Sequence, residues 1–315
     1  MLVGGIPLFL GGGAPTFAGW ALFGFGYPQS GGVTSVTNTV SRTGVVANDT
    51  TGVGTARYGV GAAGYGGDKA IFGYGYNASS TAVSLTNKVS NEGVVATDTS
   101  GVGTARGFVS AAGYGTDKAI FGYGGASYNT STAGTNTVSN TGVVSGDVSR
   151  VGTATTQRAA AGYGTDKAIF GFGQAPGGTG VTSITNKVSN TGVVANDTTG
   201  VGTARSNLAA AGFGGDKAIF IAGELNSAAF VSTTNLVSNT GVVASNTSGA
   251  QPTLAFLAAA GYGGDKAILG FGYVTNAVTY TNYTHLISNT GVVNGTPNSG
   301  VGTVRSQLAA ASFGG

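Results

Sequence analysis

The sequence predicts an all-β fold of six repeated units closed into a ring, and three observations predict it. Gly-Val-Val recurs at Gly44, Gly93, Gly142, Gly192, Gly241 and Gly291, at spacings of 49, 49, 50, 49 and 50 residues. A small-residue segment ending in an aromatic also recurs six times, at Tyr65, Tyr114, Tyr163, Phe213, Tyr262 and Phe313. The two ends of the chain are complementary, because Ala21-Leu22-Phe23 has no such segment before it and residues 308–313 have no strand after them. A period of 20–50 residues marks an architecture in which each unit is one supersecondary module with no core of its own.

Within a unit the elements read in order, most clearly across residues 181–220. The run 208–213, Leu-Ala-Ala-Ala-Gly-Phe, is followed by Gly214-Gly215 and then Asp216-Lys217-Ala218-Ile219-Phe220, a hairpin signal with glycines where positive φ is needed. The Thr- and Val-rich run 181–188 and the Val193-Val194 segment suit outer strands, since β-branched residues fit a pleated, half-buried surface. Four strands in fifty residues make one blade of a β-propeller. Residues 14–315 therefore form a six-bladed β-propeller of four-stranded blades, with the C-terminal strand completing the first blade and removing the edges a sheet must otherwise protect. Residues 1–13 form an arm outside the repeat.

The order of an Arg, a small apolar strand, a turn and Lys-Ala-Ile-Phe-Gly-Tyr-Gly, as in residues 57–75, resembles the Kelch repeat over nearly the whole chain. The dialect of Ala-Ala-Gly-Tyr-Gly, Asp-Lys-Ala-Ile-Phe-Gly-Tyr-Gly and Ser-Asn-Thr-Gly-Val-Val is similar to repeat proteins of marine bacteriophages. That resemblance implies a virion protein, a tail, fibre or capsid-surface component acting as a rigid scaffold. It also implies other virion proteins as partners.

Composition fits such a role. Charged residues are 8% of the chain against roughly 25% in soluble domains, so Thr, Ser, Asn and Gly must cover the surface. Such a surface suits close assembly or neutral polar ligands such as host-surface glycans. A net charge of +3 gives nucleic acid no clustered Lys and Arg to bind. The 60 glycines do not signal disorder, because 28 Phe and Tyr recur in register with them. There is no cysteine, which excludes disulfides and thiol chemistry. No apolar run reaches 18 residues, so no membrane insertion is expected.

Catalytic chemistry is sparse. The one histidine, His285, occupies a slot held by Asn38, Asn87, Asn136, Asn186 and Asn235 elsewhere, and reads as a substituted hydrogen-bonding group. The Asp-Lys pairs beginning at Asp68, Asp117, Asp166, Asp216 and Asp265 read as turn caps, with the Asp side chain bonding backbone N–H groups. Arg57, Arg106, Arg205 and Arg305 share a slot that holds Thr155 and Leu254 in two units, and read as groups bonding between blades. The loops at Asp49, Asp98, Asp147 and Asp197 offer one carboxylate each, too few for calcium. A glycosidase would need two carboxylates about 5–9.5 Å apart, and the only glutamates, Glu92 and Glu224, are far apart in the ring. The expectation is a non-enzymatic protein with no catalytic residues, metal or cofactor.

What varies between units points to binding. The loops after each Phe-Gly-Tyr-Gly strand differ in length and content and should share one side of the ring, where a rigid scaffold usually presents its contacts. Tyr27, Tyr76, Tyr128, Asn129 and Tyr273 are the candidate glycan- or partner-binding residues. Leu2, Ile6, Leu8, Phe9 and Leu10 of the arm are the candidate assembly residues, docking either on a neighbouring subunit or along the arm's own propeller.

Overall fold

The computed structural model describes residues 19–127, 130–148, 151–274 and 279–314. The arm residues, Tyr128 and Asn129 lie outside them. The described chain is all-β, built as several small antiparallel sheets, with one short 3-10 turn at Pro176–Gly178. Each sheet begins with a five-residue inner strand: Gly61–Tyr65, Ser110–Tyr114, Ala159–Tyr163, Ala209–Phe213 and Ala258–Tyr262 in the second to sixth units. In the second unit the turn that follows holds Gly66 and Gly67 at φ of 65° and 83°, a conformation glycine adopts without steric cost.

The middle strands of those units are Lys69–Gly73, Lys118–Gly122, Lys167–Gly171, Lys217–Glu224 and Lys266–Gly270. Their Ala-Ile-Phe or Ala-Ile-Leu cores are wholly buried. Burial on both faces explains why these strands read as continuous apolar runs rather than alternating ones. Outer strands Thr86–Val89, Thr135–Val138, Thr185–Val188, Phe230–Val237 and Thr284–Ile287 pair along their other edge. The first unit is assembled from both ends of the chain. Its middle strand, Trp20–Pro28, lies between Thr34–Val40 and Ala309–Phe313, with Trp20 opposite Phe313 and Gly24 opposite Ala309.

The expected fourth strand is reduced to isolated bridges, except in the fifth unit, where the two-residue strand Thr247–Ser248 pairs with Phe230–Val237. In the second unit Val95 pairs with Val89 and Thr99 with Thr86, with the register shifted by one between them. The Asn87 carboxamide fills that gap, donating to Ala96 O at 3.0 Å and to Asp98 Oδ1 at 2.9 Å. A side chain has taken over the hydrogen bonds of a ladder rung.

Inner strands pack in cyclic order: the second unit's against the third's, and so on to the sixth's, the first's and back to the second's. At the hairpin end the Gly66 N–H donates to Asp117 O at 2.7 Å, and the same bond recurs unit by unit until Gly314 N–H reaches Asp68 O at 2.7 Å. The aspartates of the Asp-Lys pairs thus tie units together through their main-chain carbonyls. The carboxylates meet the adjacent lysines, as Asp68 Oδ1 meets Lys69 Nζ at 2.7 Å, and those of Asp117, Asp166, Asp216 and Asp265 also take a backbone hydrogen bond.

Between sheets, the middle-strand glycine of the first four units makes room for the next unit's phenylalanine, whereas Gly270 of the sixth abuts Thr284 of its own unit. A Cβ on Gly24, Gly73, Gly122 or Gly171 would lie 2.6–2.8 Å from Cζ of Phe72, Phe121, Phe170 or Phe220. A guanidinium also covers the preceding unit's aromatic ring: Arg57 over Phe25, Arg106 over Tyr74, Arg205 over Phe172 and Arg305 over Phe271, at 4.2–4.9 Å. In the fourth unit Thr155 takes the arginine slot, and Arg158, three residues later, covers Tyr123 at 4.1 Å. The fifth and sixth units meet differently. Ile221 replaces the glycine, Ala222 the aromatic, Leu254 the arginine and Leu269 the phenylalanine, and these four share one apolar cluster.

The arginines bond main-chain carbonyls and amide side chains of their own sheets while their guanidinium faces lie on the preceding unit. Arg305 donates to Phe25 O at 2.9 Å, Thr303 O at 3.0 Å and Asn38 Oδ1 at 2.7 Å; Asn38 in turn donates to Asp49, which accepts the Thr303 N–H and hydroxyl. Burial pulls this guanidinium down to about 10, so it remains charged at neutral pH. For Asp147 burial pushes the carboxyl up, but bonds from Thr104 and Asn136 outweigh it and hold the group at about 2. His285 sits where Arg has no counterpart. Its Nδ1–H donates to Asn294 O at 2.9 Å, the bond that Asn38 makes to Ala47 O, while Nε2 is buried without a partner.

Candidate functional site

Inner strands run from the linker end of the molecule to the hairpin end, and the two ends differ in chemistry. The hairpin end opens onto a cavity of about 140 Å³ lined by Ala and Gly of all six inner strands, with Lys69, Lys118 and Lys167 at its rim. Those lysines are paired with their neighbouring aspartates at 2.6–2.9 Å. Six valines, Val45, Val94, Val143, Val193, Val242 and Val292, stand 62–66% exposed around this end.

The linker end opens onto a second pit of about 80 Å³. Its mouth is formed by the residue two positions before each inner strand: Gly59, Phe108, Gln157, Asn207, Phe256 and Gln307. In the cyclic order of the inner strands Phe108 and Phe256, Gln157 and Gln307, and Gly59 and Asn207 are each three units apart. All six have φ of 51–60°. Main-chain bonds join several of them across units: Gly59 N–H to Gln307 O at 2.8 Å, Gln307 N–H to Phe256 O at 2.9 Å, Phe256 N–H to Asn207 O at 2.8 Å and Asn207 N–H to Gln157 O at 3.1 Å. Asn207 Nδ2 donates to Glu224 Oε2 at 2.8 Å, and Gln307 Oε1 is buried without a partner.

Aromatic rings extend from the mouth on one side only. Phe108 contacts Tyr58 at 6.3 Å between centroids, and Tyr58 contacts Tyr27 at 5.8 Å. From Phe256 a second series continues to Tyr273 at 5.1 Å and Tyr280 at 4.6 Å. Burial, then the hydroxyl of Tyr273 and the nearness of Tyr27, push the Tyr280 phenol far above its ordinary value. The two series together border the third, second, first and sixth units, and the fourth and fifth present Gln157 and Asn207 instead.

Of the sequence candidates, Tyr27 and Tyr273 are half-buried members of this rim. Tyr76 is not available to a ligand: it is 3% exposed, and its hydroxyl donates to Gly125 O of the next unit at 2.9 Å. Tyr128, Asn129 and the arm residues lie outside the described residues. Tyr58, Tyr280 and the mouth itself were missed. Their one signal is that the slot two residues before the inner strand holds Gly, Phe, Gln, Asn, Phe and Gln, while the strand beside it keeps to Ala and Gly with few exceptions.

The carboxylates of Asp49, Asp98, Asp147 and Asp197 are engaged by Thr and Asn donors. Among the described residues no group of three or more His, Asp or Glu could hold a metal ion. Glu92 lies in a turn at the hairpin end, and Glu224 ends its strand at the linker end. No family model and no curated protein matches the chain. No helix among the described residues is long and apolar enough to cross a membrane.

Proposed function

We propose that this chain is a closed six-bladed propeller of Kelch-like pattern that serves as a rigid, non-enzymatic interaction scaffold on a bacteriophage particle. The observation that carries the scaffold reading is where the charged side chains go. The buried arginines, the loop aspartates and the Asp-Lys pairs are all engaged in contacts repeated from unit to unit, so the chemistry maintains the shape. Cyclic packing of the six inner strands, with the first sheet drawn from both chain ends, supports the closed propeller. Membership of a virion rests on the phage-like sequence dialect, with other virion proteins as partners through residues 1–13.

Peptide mass spectrometry on density-purified particles from the source culture, before and after a salt wash, tests the reading. Retention in fixed ratio to the capsid proteins is the expected result; loss in the wash overturns the virion assignment. A second reading, a sugar-binding propeller, is favoured by one observation, the aromatic and amide mouth at the linker end.

A further inference from the structure

We infer that the linker-end mouth is a binding site for the terminal ring of a neutral saccharide, held between Phe108 and Phe256 and hydrogen-bonded by the amides of Gln157 and Gln307. The inference rests on the closed-propeller reading, which sets the residues opposite one another, and not on virion membership.

Size limits what can enter. A pit of about 80 Å³ admits one small group, not a stretch of polymer, so it would take the end of a chain. Its chemistry fits a ring with apolar faces and polar edges: the lining brings together two phenylalanines and two glutamines, each amide able to donate and accept. Gln307 Oε1 is already desolvated and lacks a donor, and a sugar hydroxyl would supply one. The tyrosines on the Gly59 side give the following sugar units a platform.

Charge selects for a neutral ligand. None of the six mouth residues is charged, and Glu224 stands behind Asn207. Arg158 lines the pit, but its guanidinium is turned away onto Tyr123 and donates to Ile184 O. An acidic sugar would meet the Glu224 carboxylate behind Asn207, and the one cation of the lining, Arg158, is committed to the Tyr123 ring and Ile184 O. Peptide capture by strand addition needs unpaired main-chain groups, and here four of the mouth N–H groups are spent on bonds between units.

The backbone gives a further reason to assign the side chains a role. Left-handed φ favours glycine, yet five of the six positions carry Phe, Gln or Asn at φ of 51–58°. Glycine does occur at one of them, Gly59, so the fold tolerates it there.

The test uses the purified full chain, titrated by isothermal calorimetry and by NMR. The probes are neutral oligosaccharides ending in glucose, galactose, mannose or N-acetylglucosamine, sialylated and sulfated counterparts, and two uncharged decapeptides. Phe108→Gln and Phe256→Asn each install a residue that another unit carries at the same slot, so both variants should fold, with a lowered melting temperature because Phe108 gives up ring contacts with Tyr58 and Tyr76 and Phe256 one with Tyr273; near-ultraviolet circular dichroism establishes that each is folded before titration. Val94→Thr at the hairpin end is the control. Saturable binding of a neutral-ended probe, weakened at least tenfold in both Phe variants and unchanged in V94T, is expected. No binding of any neutral probe, binding confined to the acidic sugars or peptides, or binding that both Phe variants retain would overturn the assignment. Because the titration uses isolated protein, its outcome is independent of whether the protein stays on particles.

Discussion

Substituting isoleucine for Gly73 should destabilise the protein strongly, and a second substitution, Phe121→Leu, should recover most of the loss. A Cβ at Gly73 would lie 2.8 Å from Cζ of Phe121, 3.1 Å from its Cε1 and 3.2 Å from Cγ2 of Thr86. The Phe121 ring is fully buried and has no space to retreat into. Overpacking costs about 1–3 kcal/mol, and isoleucine adds four heavy atoms at the tightest point, so about 3 kcal/mol is expected of G73I. F121L alone leaves a small void and should cost roughly 1–2 kcal/mol, less than a Phe→Ala change. The double variant reproduces the Ile221–Leu269 contact of the fifth and sixth units and should cost about 1–2 kcal/mol. Urea denaturation of the four proteins gives the coupling directly. A favourable coupling of about 2 kcal/mol or more is predicted; losses that add to within about 0.5 kcal/mol would refute the reasoning that glycine and phenylalanine are matched across this interface.

Three further outcomes are expected. Burial holds His285 below its ordinary 6.5, opposed in part by its bond to Asn294, so the unfolded chain takes up the proton first. That contribution is complete above pH 6.5 and is lost as pH falls below it; H285N should flatten the dependence of melting temperature between pH 7.5 and 5, and equal slopes in both proteins would contradict the account. Asp98 accepts bonds from Thr55 and Asn87, so D98A should cost about 2 kcal/mol, whereas D98N should cost under about 1 kcal/mol because Asn246 fills the same slot natively; chemical denaturation distinguishes them. Asp49, Asp98, Asp147 and Asp197 are all held below 3.8, burial raising each but hydrogen bonds prevailing, so stability present above pH 3.8 should drain away towards pH 2, Asp147 titrating at about 2; acid titration followed by near-ultraviolet circular dichroism checks this.

The repeat, the hairpins and the pairing of Ala309–Phe313 with Trp20–Pro28 were legible because each has a local signature: a period, a turn with glycines and an unpaired strand at each end. The fourth strand was overestimated because Val95 and Thr99 look like strand residues, and nothing in the local sequence tells that the Asn87 amide will stand between their two bridges. Tyr76 illustrates a harder limit. Its loop position suggested exposure, but its hydroxyl partner, Gly125, lies 49 residues away. The mouth residues are separated by whole repeats and meet only when the units are arranged in a round, so no window of sequence contains the site.

The strand Trp20–Pro28 is made early and completed late. Its partner Ala309–Phe313 is about 290 residues further along, which at roughly 5–20 residues per second means some 15–60 s of synthesis. During that interval the apolar edge of Trp20–Pro28 has no native inner strand, while the second to sixth hairpins, each closed by a three-residue turn, can form as they emerge. The first sheet is thus the one whose inner strand arrives long after its middle strand, and until Ala309–Phe313 emerges that middle strand is the one exposed to wrong partners.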